Sequence, residues 1–464
     1  MNIVVCVRLG LDGEISPFDA CAYEQALRIE NANVTLLSMG AMSTRDELTK
    51  LTRLGAARAI LLCDKIFAGA DTLATAYTLS LMIKKLNPDY VFCGRQTLIG
   101  DTGQTGVMLS KFCEYSLITN VMNVNNINDE KVSCLTRDEG ETEVTAPAVL
   151  TIERINNLRL PRLRSKTVEC EIFSAEMINA DKAKCGLLGS PTRVIENIDN
   201  KFDKRKCKFI EPNELNKIIE LSLNKKDNFI TKIEHKEKFG KAVCVTDSAI
   251  EYAKIVTDNI EIIDFDTPEN LCEKIKTLDP DIVLWGSDSV SKRLSATVAV
   301  LLNTGLCADC TSLESNGKEY FMIRPALSGS VLAKIKCERR PAMATFRTTK
   351  SDISDILVGI GFGAKDDLTI VQNFAKKINA DCSTTRKMVD NAFLPYEMQV
   401  GLTGKTVNPS IYIAVGISGA VHHIVGIKKS KTIIAINPDK SAPIFDYSDY
   451  GIIASVKELE KFFK

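Results

Sequence analysis

The chain has 464 residues, enough for about three domains with several buried cores, which excludes a disulfide-stapled mini-protein. Its 45% apolar and 25% charged residues are typical of folded chains rather than disordered ones. Fifty-nine basic residues balance fifty-nine acidic ones, so no global field draws it to nucleic acid or to an anionic membrane.

In chain order, Met1 leads straight into the apolar run IVVCV (3–7), with no signal-like segment ahead of it. Up to about residue 155, short β-branched runs such as VTLLSMG (34–40) and AILLC (59–63) alternate with helical patterns such as CAYEQALRIE. Continuous apolar runs separated by amphipathic stretches indicate parallel strands covered on both faces, an α/β layer domain. The same grammar returns later. Asn87-Pro88-Asp89 before YVFCG matches Asp279-Pro280-Asp281 before IVLWG, with the two prolines 192 positions apart. Ala146-Pro147-Ala148 and Arg340-Pro341-Ala342 each lead into a further strand, with Pro147 and Pro341 194 positions apart. Two matches at nearly one offset predict two copies of one fold.

The lysine- and asparagine-rich segment 196–241, with only ELNKIIELSL as helical pattern, reads as a connector. After it, ILVGIGFG, the helical DDLTIVQNFAKKI, IYIAVGISGAVHHIVGI, TIIAINP and SVKELEKFFK predict a third α/β unit. The long apolar stretch 411–427 carries three glycines and two histidines and is marginal in length for a bilayer span, so no membrane insertion is expected. Fifteen cysteines stand singly apart from Cys307 and Cys310. That pair reads as two packed thiols rather than a metal or redox site, and the expected setting is reducing and cytoplasmic, with no metal.

The sharpest chemical feature is the turn Gly416-Ile417-Ser418-Gly419-Ala420, where an apolar strand meets the start of a helix. Small residues let a backbone approach phosphate oxygens, and Ser418 and free N–H groups can donate to them, which makes a pyrophosphate cradle; a tight turn that binds nothing is the alternative. The polar loop Gln399-Val400-Gly401-Leu402-Thr403-Gly404-Lys405, with Thr385 and Arg386 upstream, suits a planar heterocycle whose reduced, anionic form an arginine stabilises; a solvated surface loop is the alternative. His423 follows Gly419 by about one helical turn and is expected to reach the same ligand. In the first copy, Asp101, Thr102, Gly103, Gln104 and Thr105 form a glycine-flanked polar loop after strand YVFCG, where open α/β sheets bind nucleotides.

These motifs carry a resemblance. QVG-x-TGK, YIAVGISGAVHH, AINPDKSAPIF and DYGII resemble the flavin domain of the alpha subunit of electron-transfer flavoproteins, and DIVLWG, TGLCADCT and RPA-x-x-G resemble that subunit's first domain. SPFDACAYEQALRI, CGRQTLIGDTGQTG, TAPAVLTIERIN and GSPTRV resemble the beta subunit. The chain thus looks like a beta–alpha fusion: a beta-like domain at 1–195, a connector at 196–241, an alpha-like first domain at 242–348 and an FAD-binding domain at 349–464. The implied fold class is α/β, with two related parallel-sheet nucleotide-binding-like domains and a C-terminal α/β FAD-binding domain.

The resemblance implies an electron carrier with bound FAD. Thr385 matches a serine near the pyrophosphate, Arg386 an arginine over the flavin, Gln399 and Thr403 loop residues beside the ring with the hydroxyl near N5. Ser418 matches a phosphate contact, His423 a donor to the O2 edge and Asn437 a contact towards the adenosine. Residues 101–105 match the loop holding a second nucleotide, AMP or a second FAD. The implied partner is a flavin-containing dehydrogenase such as an acyl-CoA dehydrogenase. NADH and ferredoxin join it if the protein is an electron-bifurcating oxidoreductase, as DTLATA (71–76) and GDTGQTG favour. The chain departs from the family pattern at Phe362, where an arginine is usual, at Leu402 and at Ser455; its start and the partner-recognition loop after Arg159-Leu160-Pro161 are short.

Overall fold

Runs of β-branched and apolar residues form strands buried on both faces, as parallel sheets require. The computed structural model describes the chain apart from residues 11–12, 98–99, 101, 155, 200–203, 224–236, 327–330, 347–353, 392, 396–397, 402–403, 406, 429 and 463–464. It divides into two units: one holds 1–197, 236–327 and 333–346, the other 198–235, 328–332 and 347–464.

The first unit contains two related lobes. In the first lobe a nine-stranded sheet runs in the order Gly140–Thr145, Lys131–Thr136, Ser116–Ile127, Ala148–Ile152, Tyr90–Gly94, Asn2–Cys6, Asn33–Met39, Arg58–Leu62, Cys170–Phe173. The two hairpin pairings among the first three strands are antiparallel and the rest are parallel. In the second lobe the order is Asn259–Ile263, Lys241–Val245, Ile282–Trp285, Ala342–Phe346, Leu306–Cys310, all parallel. The five inner strands of the first lobe therefore recur in the same order in the second.

The repeat extends to single bonds. Asp89 accepts from the Asn2 N–H and offers its carbonyl to the Ala148 N–H, while Asp281 does the same for Lys241 and Ala342. Asn120 and Asp309 both take left-handed backbone (φ 57° and 54°), and their N–H groups donate to Thr151 Oγ1 at 3.0 Å and Thr345 Oγ1 at 2.8 Å. Cys307 and Cys310 are buried in the core of the second lobe, where Cys310 Sγ–H points at the Cys307 carbonyl at 3.5 Å.

The second unit is one six-stranded parallel sheet in the order Lys208–Phe209, Tyr450–Ile452, Thr432–Ile436, Ile411–Val415, Ile356–Ile360, Asp381–Thr384. Alternate residues feed two cores: Ile411, Ile413 and Val415 on one face, Tyr412 and Ala414 on the other. The part of the segment read as a connector that is described between 204 and 223 packs on this sheet. Lys208–Phe209 adds the edge strand, Leu215, Ile218 and Ile219 pack into the first of these cores, and Arg205 binds the carbonyls of Lys428, Ser430 and Lys431 and the carboxylate of Asp449. The stretch 411–427 is a strand, a turn and the helix Val421–Ile427. Among the described residues no helix is long and apolar enough to cross a membrane.

Candidate functional site

An open parallel sheet binds ligands outside the carboxyl ends of its strands, where the strand order reverses. In the second unit the chain moves outward from Ile356–Ile360 to Asp381–Thr384 and then returns to the other side with Ile411–Val415. The reversal lies between Ile356–Ile360 and Ile411–Val415, so the loops that matter are Gly361-Phe362-Gly363 and the turn from Gly416 to Ala420.

The two loops are bolted together by backbone. The Gly361 N–H donates to the Val415 carbonyl at 2.8 Å and the Gly363 N–H to the Gly416 carbonyl at 3.0 Å. A Cβ on Gly361 would lie 2.2 Å from the Gly416 oxygen. Gly419 (φ +93°) is needed for a reason other than phosphate approach: a Cβ there would lie 2.2 Å from the Ile444 nitrogen, whose N–H donates to the Ser418 carbonyl at 3.1 Å. With Gly419 turned inward, Ser418, Ala420, Val421 and His422 are exposed, while Ile417 is buried.

The loop after Gln399 docks on the end of the strand Asp381–Thr384 and on the helix that follows the turn. The Val400 N–H donates to the Thr384 carbonyl at 2.9 Å and the Lys405 N–H to the Gln399 carbonyl at 2.7 Å. Gly401 meets the helix backbone-to-backbone, since its Cβ would lie 2.8 Å from the His422 oxygen and one on Gly426 would lie 2.5 Å from the Gly401 nitrogen. The Gln399 side chain is buried, and a Cβ on Gly404 would lie 2.3 Å from the Gln399 oxygen. Thr403, expected near N5, and Leu402 lie outside the described residues.

The two adjacent histidines have different fates. His423 is 6% exposed, and both ring nitrogens are occupied: Nδ1 is 3.0 Å from the Val400 carbonyl and Nε2 is 3.0 Å from the Tyr412 hydroxyl. A carbonyl only accepts, so Nδ1 carries the proton and Tyr412 donates to Nε2. Ser383 Oγ stands 3.3 Å behind the Tyr412 oxygen, completing a buried relay of Ser383, Tyr412, His423 and Val400. Burial pushes His423 down to about 4, opposed by its bond to Val400, so the ring is neutral. A ligand contact from either nitrogen would have to displace one of these partners. His422 instead faces outward; partial burial and the Arg386 charge both lower its tendency to protonate.

Arg386 opens the short helix Arg386–Asp390, preceded by Thr385, whose N–H donates to the Ile360 carbonyl. Its Nε lies 3.3 Å from Asp390 Oδ2, a part-exposed pair. Phe362, expected to leave the site one cation short, is covered by two: Lys387 Nζ lies 4.0 Å and Lys365 Nζ 5.4 Å from its ring centroid. Asn437 is turned to structural use: its amide donates to the Ile417 carbonyl at 3.0 Å, while its side-chain oxygen accepts from the Asp439 N–H. Ser455 caps the helical turn Val456–Lys461 reciprocally with Glu458.

The first lobe has its own reversal, between Asn2–Cys6 and Tyr90–Gly94. Asp19 bridges these two strand ends, accepting from the Arg8 N–H at 2.8 Å and the Gly94 N–H at 3.1 Å, and burial pushes its carboxyl up to about 7. Ten residues, 95–104, then precede the helix Thr105–Cys113, whereas the second lobe passes from Trp285 to Ser289–Leu302 in three. Thr102, Gly103 (φ +65°) and Thr105 are half-buried. Gln104 is 3% exposed, and its Oε1 has no hydrogen-bond partner among the described residues. Asp101 lies outside the described residues. Asp71 of DTLATA caps its helix, accepting from the Ala74 N–H and from the N–H and hydroxyl of Thr192.

Sequence reading missed His422, Tyr412, Ser383, Lys387 and Arg205. The His-His pair was itself the signal for His422; nothing in the chain order points to the others. The exposed hydroxyl of Ser418, the imidazole of His422 and the part-exposed guanidinium of Arg386 are a donor set that fits an anionic dinucleotide.

Comparison with known proteins agrees with this architecture. The electron transfer flavoprotein domain matches residues 3–177 and 264–360, and the electron transfer flavoprotein FAD-binding domain matches 352–428. Protein FixB of Clostridium saccharobutylicum is 34% identical over 255 residues, 44% of this chain and 76% of that protein. Electron transfer flavoprotein subunit alpha of Thermoanaerobacterium thermosaccharolyticum is 33% identical over 232 residues, 40% of this chain and 70% of its own length. Acryloyl-CoA reductase electron transfer subunit beta of Anaerotignum propionicum is 31% identical over 256 residues, 39% of this chain and 70% of that subunit. With two copies of one fold, an FAD-binding domain and these relatives, the chain belongs to the electron transfer flavoprotein family.

Proposed function

We propose that the chain is a single-chain electron carrier, beta-like in its first lobe and alpha-like in the rest, that holds FAD in the second unit and links a flavin-containing dehydrogenase to a downstream acceptor. The observation that carries this reading is the strand-order reversal, past which the turn leaves Ser418 and His422 exposed, with Arg386 near enough to act on His422 and the His423 relay behind. Bound FAD would supply two-electron acceptance and one-electron release. The chain's own part is to bind, orient and bias charge. Ser418 would donate to phosphate oxygens, the loop from Gln399 to Gly404 would shape the ring pocket, and Arg386 would favour a negatively charged ring. Removing that charge by Arg386→Ala should weaken FAD binding roughly tenfold and lower the flavin potential, with Lys387 and Lys365 keeping the loss partial. An unchanged affinity and potential would mean that the charge is supplied elsewhere.

For the partner, the segment after Arg159 is the natural docking element. Leu160 is 88% and Leu163 100% exposed, amid Arg162, Arg164 and Lys166. Such an apolar tip in a basic setting suits an apolar pocket with an acidic rim. Leu163→Ala should leave FAD content unchanged while slowing reduction by the cognate dehydrogenase at least severalfold; equal rates would remove the segment from the interface.

A second reading, an electron-bifurcating NADH-oxidising flavoprotein, needs a second nucleotide at the first-lobe loop, where the buried Gln104 carbonyl would accept from one. A second FAD would support it, and AMP would make that site structural.

A further inference from the structure

We infer that His422 takes up a proton as the dinucleotide's negative charge enters the crevice, and is thus the proton-linked ligand residue of this site. The inference rests on the FAD reading above.

The two histidines occupy successive positions on a helix that turns about 100° per residue, so only one can face the sheet. His423 does, and its nitrogens are consumed by Val400 and Tyr412. His422 lies on the open side with Ser418, Ala420 and Val421. Its backbone is fixed, because its carbonyl packs against Gly401 and the helix packs against that loop through Gly426.

The electrostatics then work in opposite directions before and after binding. Without ligand, partial burial and Arg386 disfavour the imidazolium. Arg386 is the charged side chain acting on His422 from the helix Arg386–Asp390, where Asp390 partly offsets it. Lys405 stands exposed in the loop packed against this helix, and on the helix itself His423 stays neutral. The charge shown to act on His422 is thus the cation of Arg386. A dinucleotide, whose pyrophosphate stays ionised throughout the imidazole range, adds negative charge beside His422 and shifts the balance towards the protonated form. By linkage, affinity rises as pH falls through that range.

The test is calorimetric titration of the FAD-depleted full chain with FAD at pH 6.5, in two buffers of different ionisation enthalpy, repeated for His422→Gln and His422→Lys. The native chain should take up a substantial fraction of a proton and bind about tenfold more tightly at pH 5.5 than at pH 8. His422→Gln should show neither effect. His422→Lys, charged throughout, should bind without proton uptake and with a flat pH profile. Equal uptake in the native and His422→Gln chains, or none in the native chain, would overturn the inference while leaving the FAD reading intact. Failure of the native chain to bind FAD at any pH would remove both.

Discussion

Replacing Gly419 with valine is expected to empty the FAD site and to destabilise the second unit by roughly 3 kcal/mol. Two costs combine. The backbone at φ +93° is one that a β-branched residue adopts only under strain, and the new Cβ would lie 2.2 Å from the Ile444 nitrogen and 2.6 Å from its Cα. The chain from Pro443 must move away, which breaks the Ile444-to-Ser418 hydrogen bond and releases the turn that holds Ser418 outward. Flavin content and the urea midpoint of the second unit would both report this. Full flavin occupancy with an unchanged midpoint would show that the close approach at Gly419 does not govern the site.

The second large effect is acid sensitivity. His423 has its folded pKa pushed from an ordinary 6.5 down to about 4 by burial. A base depressed in the folded state binds more protons when unfolded, so its contribution to stability is intact above pH 6.5 and is lost as pH falls from 6.5 to 4. The full shift corresponds to about 3 kcal/mol. The chain has three histidines, few enough for their ring protons to be followed individually by NMR. The expected His423 ring stays neutral down to about pH 4; titration near 6.5 would mean that the relay through Tyr412 and Val400 is open in solution.

Much of the architecture was readable because it is written in turn residues. The Asn-Pro-Asp and Asp-Pro-Asp pairs hold the same two bonds in both lobes, so their spacing carried the repeat into the fold. The role of 196–241 was not readable: a two-residue edge strand such as Lys208–Phe209 has no periodicity, and its lysine-rich surroundings look like linker. At the site, the turn around Ser418 stood out by its glycines, but the reason for Gly419 depends on Ile444, a residue 25 positions on that only the folded chain brings near. The histidines show the limit most clearly. Spacing placed His423 one turn from Gly419, yet which of two neighbouring side chains faces the core is decided by where the helix sits on its sheet.

The most direct measurement is to denature the purified full chain and count the nucleotides released, alongside hydrogen exchange of peptides covering 411–427 with and without added FAD. The expected result is one FAD per chain assigned to the second unit, with exchange across 411–427 slowed when it is bound; a second equivalent of FAD or AMP would belong to the first lobe. A native chain that releases no FAD, and whose 411–427 peptides exchange equally fast when FAD is supplied, would contradict the assignment of this crevice as a flavin site.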